Sequence, residues 1–221
     1  MECQKGIFSD RTDAATQLLE FLPVEKMRSE AWRLIALSFG GLEIAEHFAK
    51  RLHLQADILF SEPVCAPLND ECEIARVSET EEMVIHEALC QAFNIGLDFV
   101  YGEAHRKHEE QILNAVYQYR KGRPFPSLHA EVVVLIDDGS ETGLNFLTGV
   151  KTILAMKPKA VYVIAPILPH EVLESLDPLV DHIYYLHDVK DYVATTAYYK
   201  NFEPLSSERV ELILGESSDI Q

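Results

Sequence analysis

The sequence predicts an α/β domain, a mainly parallel sheet flanked by helices with a small helical subdomain beside it. Two observations carry that prediction. Val132 to Ile136 is an unbroken apolar run, mostly β-branched and without polar alternation, as expected of a strand buried on both faces in the middle of a parallel sheet. Along the rest of the chain, short apolar runs alternate with segments of helical periodicity, the order of a sheet whose ligands bind at the carboxyl ends of its strands.

A chain of 221 residues suffices for one such domain spanning 1–221, with a helical insertion at about 78–122. Asp and Glu number 36 against 19 Lys and Arg, a formal net charge of −17, which argues against nucleic acid and anionic membranes as partners. A small anionic ligand stays compatible, because a local cluster can oppose the global field. Cys3, Cys65, Cys72 and Cys90 form no C-x-x-C pair and read as ordinary thiols of a reducing compartment. No apolar run reaches membrane-spanning length and M-E-C-Q-K-G lacks a signal-peptide core, so the expected location is cytoplasmic.

Asp10 or Asp13 caps a first helix whose buried face is Leu18, Leu19, Phe21 and Leu22, and Pro23 ends it. Arg11 reads, by residue type, as a solvated first-turn side chain paired with a neighbouring aspartate. Trp32 to Leu37 is a strand. Ser38, Phe39, Gly40 and Gly41 follow, where glycine permits close approach of backbone to a ligand, and a helix continues through Leu52. Ala56 to Phe60 is a third strand. Between Asp70 and Glu87 the acidic residues are opposed only by Arg76, a solvated acidic face.

Helical spacing runs from Glu81 to Phe93 and from Gly96 to Tyr119. The second stretch carries His105, His108 and Glu109; with no third ligand at matching spacing they read as an exposed charged face, and no metal ligand is assigned. Gly122, Pro124 and Pro126 end that stretch, and Lys121 and Arg123 complement its C-terminus. Ala160 to Ala165 is a buried strand, His170 to Leu176 a short helix and His182 to Leu186 a final strand. Residues 216–221 read as disordered.

The central run ends in Asp137 and Asp138. Gly139, Ser140, Glu141, Thr142 and Gly143 follow, then a helix with an apolar face of Leu144, Leu147, Val150, Ile153 and Leu154. A strand, glycine loop and helix N-terminus binds phosphate, because unpaired N–H groups and the helix dipole converge there. Thr142 adds a hydroxyl. Carboxylates beside such a cradle repel the ligand unless they face sugar hydroxyls, magnesium or positive charge developing in a transition state. The plain alternative is a strand-ending Asp-Asp-Gly turn.

This stretch, D-D-G-S-E-T-G-L-N, resembles the acidic-pair and phosphate-loop signature of type I phosphoribosyltransferases. Other segments resemble, in order, a bacterial branch of predicted phosphoribosyltransferases: F-S-D-R-T-D-A from Phe8, the glycine junction at Ser38 to Leu42, Ala66-Pro67 with Asn69 and Glu71, Y-R-K-G-R-P-F-P from Tyr119, and Tyr198 to Ser206. The resemblance implies a type I phosphoribosyltransferase-like fold with a hood, moving phosphoribose between a pyrophosphate donor and a nitrogenous base. Asp137 and Asp138 would approach the ribose hydroxyls of 5-phosphoribosyl 1-pyrophosphate and stabilise an oxocarbenium-like sugar, and Ser140 to Asn145 would hold its 5-phosphate. Ser38 to Gly41 would form the pyrophosphate loop, Mg2+ would enter with the donor, and Arg11 would be a ligand-facing charge. Tyr198, Tyr199 or Phe202 would stack on a base or serve as core aromatics, and a homodimer is compatible.

The chain departs from the family pattern at Asn145, where Thr or Ser is usual, at Phe39, where the branch has arginine, and at Ser61 and Glu62, where it has a basic pair. Glu141 stands just before Thr142-Gly143, where 6-oxopurine phosphoribosyltransferases carry an aspartate near the base. It is expected either to face the acceptor as general base or hydrogen-bond acceptor, or to be a helix-start glutamate in solvent. A receiver-type domain is excluded, because its acidic pair closes a first strand and this one falls at 137. A non-catalytic sensor of a phosphoribosyl ligand or nucleotide, and a scaffold with a vestigial pocket, stay open.

Overall fold

A computed structural model describes residues 6–218; Cys3 and residues 219–221 lie outside that range. The main sheet has five parallel strands in the order β2-β1-β6-β7-β8. These are β1 (Arg33–Ala36), β2 (Ala56–Ile58), β6 (Val132–Ile136), β7 (Ala160–Pro169) and β8 (His182–Val189). The apolar run of β6 is buried throughout and hydrogen-bonded on both edges, Val134 opposite Leu34 on one side and Tyr162 on the other.

Side chains alternate across a strand. Val132, Val134 and Ile136 therefore pack with Leu18 of α1 (Arg11–Leu19) and with Leu42, Ala45 and Phe48 of α3 (Phe39–Leu52). Val133 and Leu135 face the other way, onto Phe146, Val150 and Ile153 of α7 (Leu144–Ala155) and Val172 and Leu173 of α8 (His170–Leu176). The central strand thus has no solvent face, which is why its sequence shows no polar alternation. Trp32 enters β1 stacked on Tyr162, ring centroids 4.3 Å apart.

Two helices fall outside the expected elements, α2 (Val24–Ser29) and α9 (Ser207–Ser218); the latter makes residues 216–218 helical rather than irregular. The larger difference is in the hood. It begins with an antiparallel sheet of β3 (Ser61–Ala66), β4 (Asn69–Ser78) and β5 (Met83–Ile85), followed by α4 (Glu87–Ala92), α5 (Leu97–Lys107), a π-helical turn (His108–Ile112) and α6 (Leu113–Arg120). The stretch Glu81 to Phe93, expected as one helix, is therefore a strand and a short helix. Met83-Val84-Ile85 pairs with β4, and His86 restarts the chain by capping α4 at the Leu89 N–H, 3.3 Å away.

The π turn carries His108 inward. It is buried, with Nε2 3.2 Å from the Glu79 carbonyl oxygen, rather than on an exposed face with His105. Lys121 Nζ and Arg123 Nε donate to the Gln118 and Arg120 carbonyls at the end of α6. Buried Glu79 and Arg120 tie the two ends of the hood together, the guanidinium lying 4.9 Å from the Phe60 ring centroid and 5.5 Å from that of Phe125. No helix among the described residues is long and apolar enough to cross a membrane.

Candidate ligand site at the carboxyl end of the sheet

The carboxyl ends of β1 and β6 lie side by side, so the segments after them meet. Ser38 caps α3, its Oγ accepting from the Gly41 N–H at 2.9 Å and donating to Asp137 Oδ1. Ser38 to Gly41 is consequently the cap and first turn of a helix. The glycines are required by the neighbouring strand end: a Cβ on Gly41 would stand 2.5 Å from the Ile136 carbonyl oxygen, and one on Gly40 2.0 Å from Asp138 Oδ2. Phe39 packs edge-on against Tyr119 at 5.4 Å, filling with apolar contact the place where the resembled branch has charge.

Both acidic residues are buried. Asp137 receives the Ser38 hydroxyl, its neighbour's N–H at 2.9 Å and the Asn145 amide at 2.5 Å. Burial, and then the adjacent Asp138 carboxylate, push Asp137 up to about 8. Asp138 Oδ2 instead accepts from Arg11 Nε at 2.7 Å. Arg11 is buried, contrary to the solvated reading of its residue type, and its NH1 donates to the Glu203 carbonyl at 2.7 Å. Glu43 of α3 lies 3.5 Å from that same NH1; burial raises its carboxyl, and Arg11 partly offsets the rise.

Beyond the pair the chain turns. Gly139 has φ +150° and Gly143 φ +75°, conformations other residues rarely adopt, and the Gly143 N–H donates to Ser140 Oγ at 3.0 Å. Among the described residues, the N–H groups of Glu141, Thr142, Asn145 and Phe146 have no protein acceptor. Asn145 and Phe146 lie in the first turn of α7, whose free N–H groups a helix N-terminus offers to an anion, and Glu141 and Thr142 add loop donors just before its cap Gly143. Glu141 and Thr142 are exposed, and both line a cleft of about 350 Å³ with His86, Pro169 and Glu171.

The Asn145 side chain is turned away from the loop. Its amide nitrogen donates inward, to Asp137 Oδ2 and at 3.2 Å to the Leu37 carbonyl, and its oxygen accepts from Ser61 Oγ at 3.2 Å. Ser61 in turn accepts from Arg76 NH1 at 3.2 Å, Arg76 Nε donates to Glu73 at 2.7 Å, and Thr142 Oγ1 donates to the other Glu73 oxygen at 3.0 Å. The hood is thereby fastened to both ends of the loop through residues whose charge pattern alone reads as a solvated face. Arg76, the lone base in an acidic stretch, is the signal that could have shown it.

A C-terminal strap closes the other side. Tyr199 Oη donates to the Asp138 carbonyl at 2.7 Å, and Tyr192 and Thr195 press against Gly139, where a Cβ would meet them at 2.8 and 2.7 Å. Burial raises both tyrosine phenols, consistent with their remaining neutral donors. Tyr198 and Tyr199 are core aromatics, and Phe202 underlies Arg11 with its ring centroid 3.9 Å from the guanidinium carbon.

The expected architecture is present: a parallel sheet flanked by helices, with an acidic pair and a glycine-loop helix start at its carboxyl end and a small antiparallel sheet beside it. No protein-family model matches the chain. It is similar in sequence to two Mycobacterium tuberculosis proteins, one of them named "Putative phosphoribosyl transferase Rv0571c", each 24% identical over 212 residues that make up 96% of this chain and 47% of theirs. The chain thus spans about half the length of the curated relatives it matches. In structure it is similar to TT1426 from Thermus thermophilus, with 29% identity, a TM-score of 0.73, and coverage of 95% of this chain and 98% of that one. The chain is thus similar in sequence to proteins that carry a phosphoribosyl transferase name, and in structure to TT1426.

Proposed function

We propose that the chain is a phosphoribosyltransferase-type glycosyltransferase that binds 5-phosphoribosyl 1-pyrophosphate or a nucleoside monophosphate and transfers phosphoribose to or from a nitrogenous base. The observation that carries this reading is the row of unpaired amides at Glu141, Thr142, Asn145 and Phe146 directly after a strand-end acidic pair. The 5-phosphate would sit on those amides, with the Thr142 hydroxyl beside it. Asp138 gives Oδ2 to Arg11 and shares a hydrogen bond with the Asp137 carboxyl; among the described residues Oδ1 accepts from no N–H, hydroxyl or cation, and it would accept from a ribose hydroxyl and face positive charge growing on the sugar. Glu141, in the neighbouring cleft, would take the proton of the acceptor nitrogen.

Magnesium fits this reading only as part of the donor. Among the described residues no three His, Cys, Asp or Glu side chains gather to hold a metal ion, and Asp137 is already occupied by three donors. When bound with the pyrophosphate, the ion would neutralise charge that the acidic hood otherwise repels. Incubating the protein with magnesium, 5-phosphoribosyl 1-pyrophosphate and a panel of bases tests the proposal through release of pyrophosphate. Release with one base supports it; binding of the donor with no release from any base contradicts transfer. That second outcome describes a sensor on the same fold, the alternative to which the apolar packing of Phe39 and the inward engagement of Asp137 lend support.

A further inference from the structure

Two adjacent buried carboxylates cannot both hold a charge cheaply without a cation. Here the cation is given to one member only. Asp138 has the Arg11 guanidinium at 2.7 Å, whereas the donors reaching Asp137 are neutral: a serine hydroxyl, an asparagine amide and a backbone N–H. The other ionisable groups around the pair are Glu43 from α3 and Tyr192 and Tyr199 from the strap, none of them a cation. The fold makes room for this unequal arrangement, since a Cβ at Gly40 would fall 2.0 Å from Asp138 Oδ2 and 2.8 Å from Arg11 Nε.

The same guanidinium reaches a second structure. NH1 holds the Glu203 carbonyl, Phe202 stacks beneath, and the strap's Tyr199 returns to the Asp138 carbonyl. The strap is anchored from the other side by the chain leading into α1: Lys200 and Asn201 N–H groups donate to the Phe8 and Ser9 carbonyls, both at 2.9 Å. Arg11 therefore bridges the acidic pair and the C-terminal strap within one buried cluster.

We infer that Arg11 is a positioning residue for the acidic pair: its ion pair orients the Asp138 carboxylate toward the ligand's sugar and makes the order of the strap at 199–204 depend on that contact. The inference rests on the proposed phosphoribosyl site for its ligand, and on the ligand-free protein for everything else. A sugar hydroxyl binding Asp138 would meet a carboxylate already oriented by Arg11. A ligand that drew Asp138 away from Arg11 would loosen Phe202 and Glu203 as well.

The test compares the parent with Arg11→Gln and Arg11→Lys. In ligand-free protein, carboxyl-carbon NMR follows the titration of the pair, and hydrogen exchange follows the amides of 199–203. Arg11→Gln is expected to raise the lower titration step of the pair by at least one pH unit and to speed exchange in 199–203 at least tenfold. Arg11→Lys, which keeps charge without the planar fork, is expected to restore the titration and leave the strap faster. Unchanged titration and exchange in Arg11→Gln overturn the inference; if that variant does not fold, a strap in Arg11→Lys as protected as the parent's overturns it.

Calorimetry then adds the ligand: inorganic phosphate, which needs only the loop, should bind Arg11→Gln as it binds the parent, while ribose 5-phosphate should bind at least tenfold more weakly. Equal loss for both ligands would overturn the positioning role. A parent that binds neither contradicts the proposed site instead, and the ligand-free measurements still decide the role of Arg11.

Discussion

At Asp137 three neutral donors surround a carboxyl group that burial and Asp138 hold at about 8. In an unfolded chain the same group titrates near about 3.9. Between those values the folded protein binds a proton that the unfolded chain has released. The contribution of Asp137 to stability is thus complete below about 4 and is lost as pH rises through about 8. Urea unfolding of the parent should show this decline between about pH 5 and 8, and Asp137→Asn, which cannot titrate, should flatten it; an equal slope in both proteins would contradict the assignment. Glu141 gives a second prediction at this scale. Because an amide keeps the shape and loses the basicity, Glu141→Gln should lower turnover at least tenfold with the donor's affinity nearly unchanged. Steady-state kinetics beside donor calorimetry checks the split, and equal kinetics for the two proteins would return Glu141 to a solvated helix start.

The first turn of α3 is where an element depends on a neighbour's main chain. Gly41 lies against the carbonyl that ends β6, and its added Cβ would have to move backbone rather than a flexible side-chain tip. Gly41→Ala should therefore cost about 1–3 kcal/mol, as overpacking does, and chemical denaturation measures it. Gly215→Ala, which meets nothing within 4 Å, should leave stability near that of the parent.

What was legible in the sequence follows the same division. The parallel core was readable because β6 is covered on both faces, which leaves an unmistakable apolar run, and the acidic pair and glycine loop were readable because their special φ values demand glycine. The hood sheet was not. β4 starts exposed and acidic at Asp70 and Glu71 and is buried only from Ile74, so charge masks the strand signal, and Met83 to Ile85 is too short to show a period. Nor could the inward turn of Arg11 be read: its partners stand 127 and 192 positions away, and only the fold brings them together.

Across the whole molecule, the loop network through Thr142, Glu73, Arg76, Ser61 and Asn145 joins the hood to the core, and the buried Glu79–Arg120 pair between aromatic rings holds the hood itself together. Arg120→Met leaves Glu79 buried without its cation and should cost about 3–5 kcal/mol, whereas adding Glu79→Gln should recover part of that loss. Denaturation of the single and double variants reads the difference, and additive losses would contradict a pair acting as a unit.

The central claim, that this sheet end is an anion site serving a phosphoribosyl ligand, is tested most directly by amide NMR during titration with ribose 5-phosphate. The account predicts saturable shifts concentrated at Glu141, Thr142, Asn145 and Phe146, with Asp138 responding in the same titration. Shifts scattered over the surface without saturation, or none at those amides, would contradict it.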